Sequence, residues 1–419
     1  MKKMLLSMAA VPLMVGGLSV SASANDGINI LNNVKVKGEI RPRFETADVK
    51  DNGKDAGNAF TARTHLVVSA GLLGVENLTA TIGLQSVNNF GYTNYNSTAN
   101  SHTDYDVIKD PNFAMLSEAS LDYTIDKTAM HVGRSQVNLD NQRFIGTVGW
   151  RQVERSYDTV YAANSSVKNL SLLAAYVYGF QGVGANPTTG SNSVLLHAAY
   201  TVMPALKVTA YDYMLAVGVQ GIDSDTYGLA LTGKIKAGAK LSYRAEYAVQ
   251  KDPTMELGAK NLKADANYYN LDLGANISGI LAGVNYEVLS GTNGTDGKTT
   301  FNPALGTNHK FNGWADVFYV ANKPEGGLKD ANIRLGYKAK GFGKVLAVYH
   351  DFKAETDMVT ATTGTTDDLG TEFDAVYVNA IPGFKNLKGL VKYAYYMSGD
   401  AKGYTNDKTV GWVQLDYKF

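Results

Sequence analysis

The sequence predicts an all-β protein: one closed antiparallel transmembrane β-barrel, with 18 strands as the leading count and 16 as the next. Three observations predict it. The N-terminus has the layout of an export signal. The rest of the chain alternates apolar and polar residues from end to end. The connections between the alternating segments are short and long in turn.

Composition narrows the field first. The chain has 419 residues, 39 basic and 39 acidic, so its formal charge is zero. It has no cysteine, 43 glycines, 9 prolines and 26 tyrosines. The missing cysteine excludes a disulfide framework, a zinc ribbon, an iron–sulfur cluster and a thiol nucleophile. The balanced charge argues against nucleic-acid binding, which gains its affinity from a basic excess. Abundant tyrosine with little proline favours strands.

Residues 1–24 read as the signal peptide. Lys2 and Lys3 form the charged start, Met4 to Val20 is apolar, and Ala22-Ser23-Ala24 supplies a small-x-small cleavage site. The expected mature chain, 25–419, is a single barrel domain. No later stretch approaches the ~18 apolar residues of a spanning helix, so membrane insertion would have to use strands.

The alternation is plainest at the two ends. In the first segment Val34, Val36, Gly38, Ile40, Pro42 and Phe44 share one face. Lys35, Lys37, Glu39, Arg41, Arg43 and Glu45 share the other. Strand side chains alternate with period 2, so one face is apolar and the other charged. The last segment sets Val413, Leu415, Tyr417 and Phe419 against Gln414, Asp416 and Lys418. Segments 119–125, 241–250, 332–338 and 387–398 repeat the pattern, whereas 206–214 and 344–352 carry mixed residues on both faces.

Half-buried strands of soluble sandwiches also alternate, so the connections decide. Short ones lie at 126–128, 165–169, 202–205, 235–238, 278–279, 340–343 and 382–386. Long ones lie near 47–58, 91–116, 138–153, 181–192, 251–262, 290–331, 353–369 and 399–408. Such sorting marks an outer-membrane barrel with short periplasmic turns and long extracellular loops. A plain count gives 19 segments, but an even number is required, which places 309–320 inside a long outer loop. At roughly 10 residues each, strands would use less than half of the chain. Tyr123, Tyr243, Tyr247, Tyr269, Tyr337, Tyr393, Tyr395 and Tyr417 fall on outward positions and suit interfacial girdles.

Catalysis finds little support. His65, His102, His131, His197, His309 and His350 show no zinc-protease spacing, and neither a Gly-x-Ser-x-Gly elbow nor a Walker loop is present. No catalytic residue, metal or cofactor is expected. Barrels of this size enclose water, and the polar face lines it. Lys35, Lys37, Arg41, Arg43 and Arg63 would form a basic wall there, partly offset by Glu39 and Glu45. Asp122, Glu246, Asp272 and Glu287 would form an opposing acidic one.

The expected third outer loop, 138–153, is the most distinctive segment. Phe144, Ile145 and Trp150 would be costly on a free surface and suit a loop folded into the pore, holding Arg143 and Arg151 there. The run Gly133-Arg134 … Leu139-Asp140-Asn141-Gln142-Arg143-Phe144-Ile145-Gly146 … Trp150-Arg151-Gln152, with Asp158 beyond, resembles the alginate-export-related porins of Gram-negative bacteria. These are 18-stranded barrels akin to porin D-type channels. His309-Lys310-Phe311-Asn312-Gly313-Trp314-Ala315-Asp316 is similar to a second stretch of such porins. The resemblance implies passive passage of solutes, with Arg134, Arg143, Arg151, Arg155 and Asp158 in the pore region. Export of alginate would use an arginine-rich lumen, whereas here acids balance bases.

The expectation is therefore an outer-membrane porin passing small hydrophilic solutes or ions, with a preference for anions. Constriction residues would be Arg41, Arg43, Arg63, Arg134, Arg143, Arg151, Arg155 and Asp158. Expected partners are outer-membrane lipid and the barrel assembly machinery, met through the terminal Phe419, with no nucleic acid. The assembly is a monomer or a homotrimer. A structural or adhesive barrel, a polyanion exporter and a secreted soluble β-protein are the alternatives.

Overall fold

The computed structural model describes residues 30–186, 188–217, 222–255, 265–291, 300–319 and 322–419. The expected signal over 1–24 lies outside the described residues. So do 256–262 of the expected loop 251–262, and residues 292–299, 320 and 321 of the loop 290–331.

Eighteen strands form one sheet. They are β1 (Leu31–Val49), β2 (Gly57–Leu72), β3 (Leu78–Asn88), β4 (Phe113–Ile125), β5 (Thr128–Ser135) and β6 (Ser156–Asn164). Then come β7 (Leu170–Gln181), β8 (Thr189–Met203), β9 (Leu206–Val217), β10 (Ile222–Ala237), β11 (Ala239–Met255) and β12 (Asp265–Ile277). The last six are β13 (Ile280–Ser290), β14 (Gly327–Ala339), β15 (Gly343–Val359), β16 (Thr365–Ala380), β17 (Leu387–Met397) and β18 (Lys408–Lys418). Each pairs antiparallel with its neighbours in the chain, and β1 pairs with β18, so the sheet closes. Closure leaves no sheet edge and satisfies the backbone internally, which hydrocarbon demands.

Burial is inverted relative to a water-soluble fold. On β1 the charged Glu39, Arg41, Arg43 and Glu45 are buried, while Val34, Val36 and Phe44 are exposed. On β14 Ile333, Leu335 and Tyr337 are exposed, Leu335 at 64 %. Whole rows of exposed apolar side chains would be an aggregation surface in water but are solvated by lipid tails. Exposed aromatics gather near the short-turn end (Tyr123, Tyr337, Tyr377, Phe342, Tyr417) and near the long-loop end (Phe44, Phe60, Tyr178, Tyr247). Tyr243 and Tyr395 are only half exposed. Their hydroxyls donate to the Ala205 carbonyl (2.8 Å) and to Asp407 (3.1 Å).

Local chemistry explains the turns and the seam. Ser278 and Gly279 both have positive φ (51° and 97°), the geometry of a two-residue hairpin whose twist matches its strands. At the seam Phe419 N–H donates to the Gly38 carbonyl (3.0 Å), and Gly38 N–H returns a bond to Phe419 O (2.8 Å). The Phe419 ring occupies the space a Cβ on residue 38 would take, which explains a glycine on an otherwise apolar face.

Several loops are shorter than expected. Strands run from 8 to 19 residues rather than roughly 10. β15 continues to Val359 and β16 starts at Thr365, so 360–364 alone joins them, and β11 continues to Met255. Beyond the membrane a strand no longer needs an apolar outer face, so alternation fades before the strand does. The described part of the expected segment 309–320, residues 309–319, lies between β13 and β14 and forms no strand, and Asn308–Lys310 is a 3-10 turn. The mixed pattern of β9 also has a cause: Tyr211, Tyr213, Leu215 and Val217 face inward and are buried.

Candidate functional site

Loop 136–155, between β5 and β6, touches two unlike stretches of the inner wall. One is β1 and β2. Arg41 and Arg63 are direct register partners, a repulsive arrangement that needs counter-charge. Glu39 pairs with Arg41 and lies 3.8 Å from Arg63, and Glu154 of the loop binds Arg63 at 2.9 Å. Arg41 donates to the Gly149 carbonyl (3.0 Å), and Arg43 donates to the Trp150 carbonyl and to Gln414 (2.7 Å). Arg43 also lies 3.5 Å from both Glu45 and Asp110. Arg151 reaches Glu45 (2.9 Å) and Asp316 (3.1 Å). Those carboxylates raise its pKa against the desolvation that opposes them. Gln152 donates to Thr61 and to the Arg41 carbonyl, both at 3.0 Å.

The second stretch is aromatic. Phe144 packs on Tyr211 (5.3 Å), Tyr213 (6.3 Å), Tyr268 (5.2 Å, edge-on) and Phe301 (5.7 Å). Beside it Arg143, fully buried, binds Glu287 (2.8 Å), Asn308 (3.0 Å) and Asn312 (2.9 Å), with its guanidinium 4.7 Å from the Phe311 ring. Arg155 donates to the carbonyls of Leu305 (2.5 Å) and Gly146 (3.1 Å). Backbone bonds from Gly146 to Leu305 and from Thr307 to Gln142 join loop 136–155 to loop 291–326. A Cβ on Gly306 would collide with the Arg143 carbonyl, so the two backbones approach as closely as glycine allows.

Where the loops meet lies a cavity of about 440 Å3, lined among others by Trp150, Trp314, His309, Lys310, Glu154 and Lys392. His309 donates through Nδ1 to Asp316 (2.9 Å), and its Nε2 accepts from Lys392. Trp150 stacks on the His309 ring at 3.4 Å. Burial, the adjacent Lys392 and Arg151 push His309 down to about 3 despite the Asp316 carboxylate, so the ring is neutral. The same pairing holds Asp316 well below the usual carboxylate range.

Three expectations need correction. Arg134 and Asp158 do not face the lumen. They pair across β5 and β6 (2.6 and 2.8 Å) and Arg134 donates to Thr188. Arg134 shares its face of β5 with exposed Met130 and Val132, and Asp158 shares its face of β6 with exposed Val160. The period-2 rule therefore sets this pair on the outer surface, near the long-loop rim. Lys35 and Lys37 are exposed near the opposite end of β1, away from the arginines. The two walls of opposite sign do not exist either. Glu246 pairs with Arg244 (2.7 Å), Asp272 with Arg334 (2.6 Å), Glu287 with Arg143 and Asp122 with His131 (2.7 Å). Arg244 with Glu246 and Arg334 with Asp272 are neighbours on one sheet face, close enough for charges to cancel locally, and Arg143 reaches Glu287 from the loop. Ser135, His131 and Asp122 form a hydrogen-bonded chain (3.1 and 2.7 Å), with the ring under stacked Tyr161; buried so, the imidazole tethers β4 to β5.

Lys392, His309, Asp316 and Trp412 escaped the sequence reading as constriction residues, and Glu287 was read as part of an acidic wall rather than as the partner of Arg143. For Lys392 a signal was available, since it lies on the polar face of its strand.

The barrel as a whole has close structural counterparts. Acinetobacter baumannii OccAB4 superposes with a TM-score of 0.69 at 15% identity, covering 93% of this chain and 98% of that one. Pseudomonas aeruginosa OpdK, solved with vanillate, gives 0.68 at 12% identity, covering 93% and 99%. The fold is that of these Occ- and Opd-type barrels. Pseudomonas aeruginosa OpdO gives 0.67 at 13% identity over 93% and 98%. No protein-family model matches the sequence, and no curated protein sequence matches it.

Proposed function

We propose that the protein is an outer-membrane porin of a Gram-negative bacterium, exported by the leader over 1–24 and passing small hydrophilic solutes or ions by diffusion. The observation that carries this reading is the inverted barrel: a closed 18-stranded sheet, apolar outside, with charged residues inside. Barrels of 16–18 strands enclose an aqueous channel, and loops 136–155 and 291–326 narrow this one where they meet. Arg41, Arg43, Arg63 and Arg151 anchor the loops to β1 and β2, and Arg143 and Arg155 lock the loops to each other. OpdK was solved with vanillate, and its shared fold supports a small organic anion as one solute of this channel. Alginate-type polyanion export is the weaker reading, because arginines already held by acids have little charge to offer a polymer.

Purified protein added to planar bilayers tests the proposal. Stepwise conductance increments are the expected result. A folded, inserted barrel that stays silent would replace the channel by a structural or adhesive barrel acting through its loops.

A further inference from the structure

Every arginine of the chain except Arg155 lies within ion-pair distance of a carboxylate, and Arg155 is spent on backbone carbonyls. The arginines are therefore poor candidates for meeting a mobile anion. Lys392 differs. It points inward from β17, since its neighbours Val391 and Tyr393 are exposed. Among the described residues no carboxylate lies within ion-pair distance of it. Its partners are the neutral His309 and three indole rings: Trp412 (4.3 Å), Trp314 (4.7 Å) and Trp150 (5.0 Å). These are all the tryptophans of the chain.

An aromatic cage holds an ammonium through the ring quadrupoles without cancelling its charge. Rings also fix the side chain, so the amine stays in place at the cavity wall. Among the described residues the buried indole N–H groups of Trp150 and Trp412 have no acceptor, and an anion beside Lys392 would supply one. Lys310 lines the same cavity and donates to the Asn141 carbonyl (2.9 Å), with no carboxylate partner among the described residues. Glu154, the acid of that lining, is committed to Arg63 and Thr147.

We propose that Lys392, caged by Trp150, Trp314 and Trp412 and supported by Lys310, is the anion-contacting residue that sets the sign of the channel's ion preference. The arginines act as loop anchors. This rests on the channel reading above but has a test of its own. Because all three tryptophans surround Lys392, intrinsic fluorescence of the detergent-solubilised protein reports on this one site. Iodide should quench it efficiently. Lys392→Met should lower iodide quenching several-fold, Lys392→Arg should retain it, and the neutral quencher acrylamide should treat all three proteins alike. Equal iodide quenching in Lys392→Met and the parent would overturn the proposal. So would a parallel loss with acrylamide, which would mean that the site had merely closed.

In bilayers under a KCl gradient, Lys392→Met should move the reversal potential toward the cation side, and Lys392→Arg should not. An unchanged potential in a conducting Lys392→Met channel removes this proposal alone. A silent parent protein removes the channel reading, while the iodide result still decides whether the caged lysine receives anions.

Discussion

The loop between β5 and β6 is held on two sides by different physics. Toward β1 and β2 it is gripped by ion pairs: Arg63–Glu154, Arg151–Glu45, and arginine donors to the Gly149 and Trp150 carbonyls. Toward β9 and β12 it is gripped by rings, with Phe144 among Tyr211, Tyr213 and Tyr268. Ion pairs fix direction and register but respond to pH and salt. Aromatic packing responds to neither and depends on volume. A loop anchored both ways keeps its position when one anchor is weakened, and each anchor can be broken separately.

The largest effect should come from the aromatic side. Phe144→Ala should destabilise loop docking by about 3–5 kcal/mol, the usual range for emptying a buried phenylalanine site. The expected readouts are a larger, noisier single-channel conductance and faster proteolysis within 136–155, at unchanged heat stability of the barrel.

Next in size is Arg143. Arg143→Met leaves Glu287 buried without its charge partner, a loss of about 3–5 kcal/mol. The double variant Arg143→Met/Glu287→Leu should recover most of it, because no lone charge remains. If the double variant is as damaged as the single one, the pair is not what holds loop 136–155 to β13. Thermal denaturation and proteolysis of both variants measure this.

Acid should loosen the contact at His309. The folded protein holds this ring near 3, below its unfolded value of about 6.5, so the unfolded loop binds the extra proton. Stability from the neutral ring is complete above the unfolded value and declines as pH falls from about 6.5 toward 3. Asp316 is also depressed, so its contribution is present above the ordinary aspartate value and is lost as pH falls further. Both terms have the same sign. Conductance fluctuations should therefore increase on acidification, and His309→Gln should flatten the upper part of that profile. A profile unchanged by His309→Gln would assign the acid response elsewhere.

The smallest effect belongs to the outer rim. Arg134 and Asp158 pair with each other across β5 and β6, on the outer face and turned away from both loops. Replacing both by Gln and Asn should alter neither ion preference nor conductance. A changed reversal potential would return the pair to the pore and contradict its outward position.

How much of this was legible in the chain depends on which solvent wrote the pattern. The outer face of each strand meets hydrocarbon, which accepts only apolar groups. That single demand imposes period 2 and makes β1, β14 and β18 readable residue by residue. The strand number followed from parity of the connections. The inner face meets water, loops and charge in mixture, so its pattern carries less information, and β9 seemed mixed because its tyrosines serve a loop distant in the chain. The outward side of Arg134 is readable from Met130 and Val132, which share its face of β5. What the sequence determined by itself is the period, the even strand number and the presence of a loop too apolar to lie in water. What only the tertiary structure decided is partnership. Arg143 with Glu287, and Lys392 with Trp150, Trp314 and Trp412, bring together residues from separate strands and loops, and contacts set by closing the barrel leave no local signature in the chain.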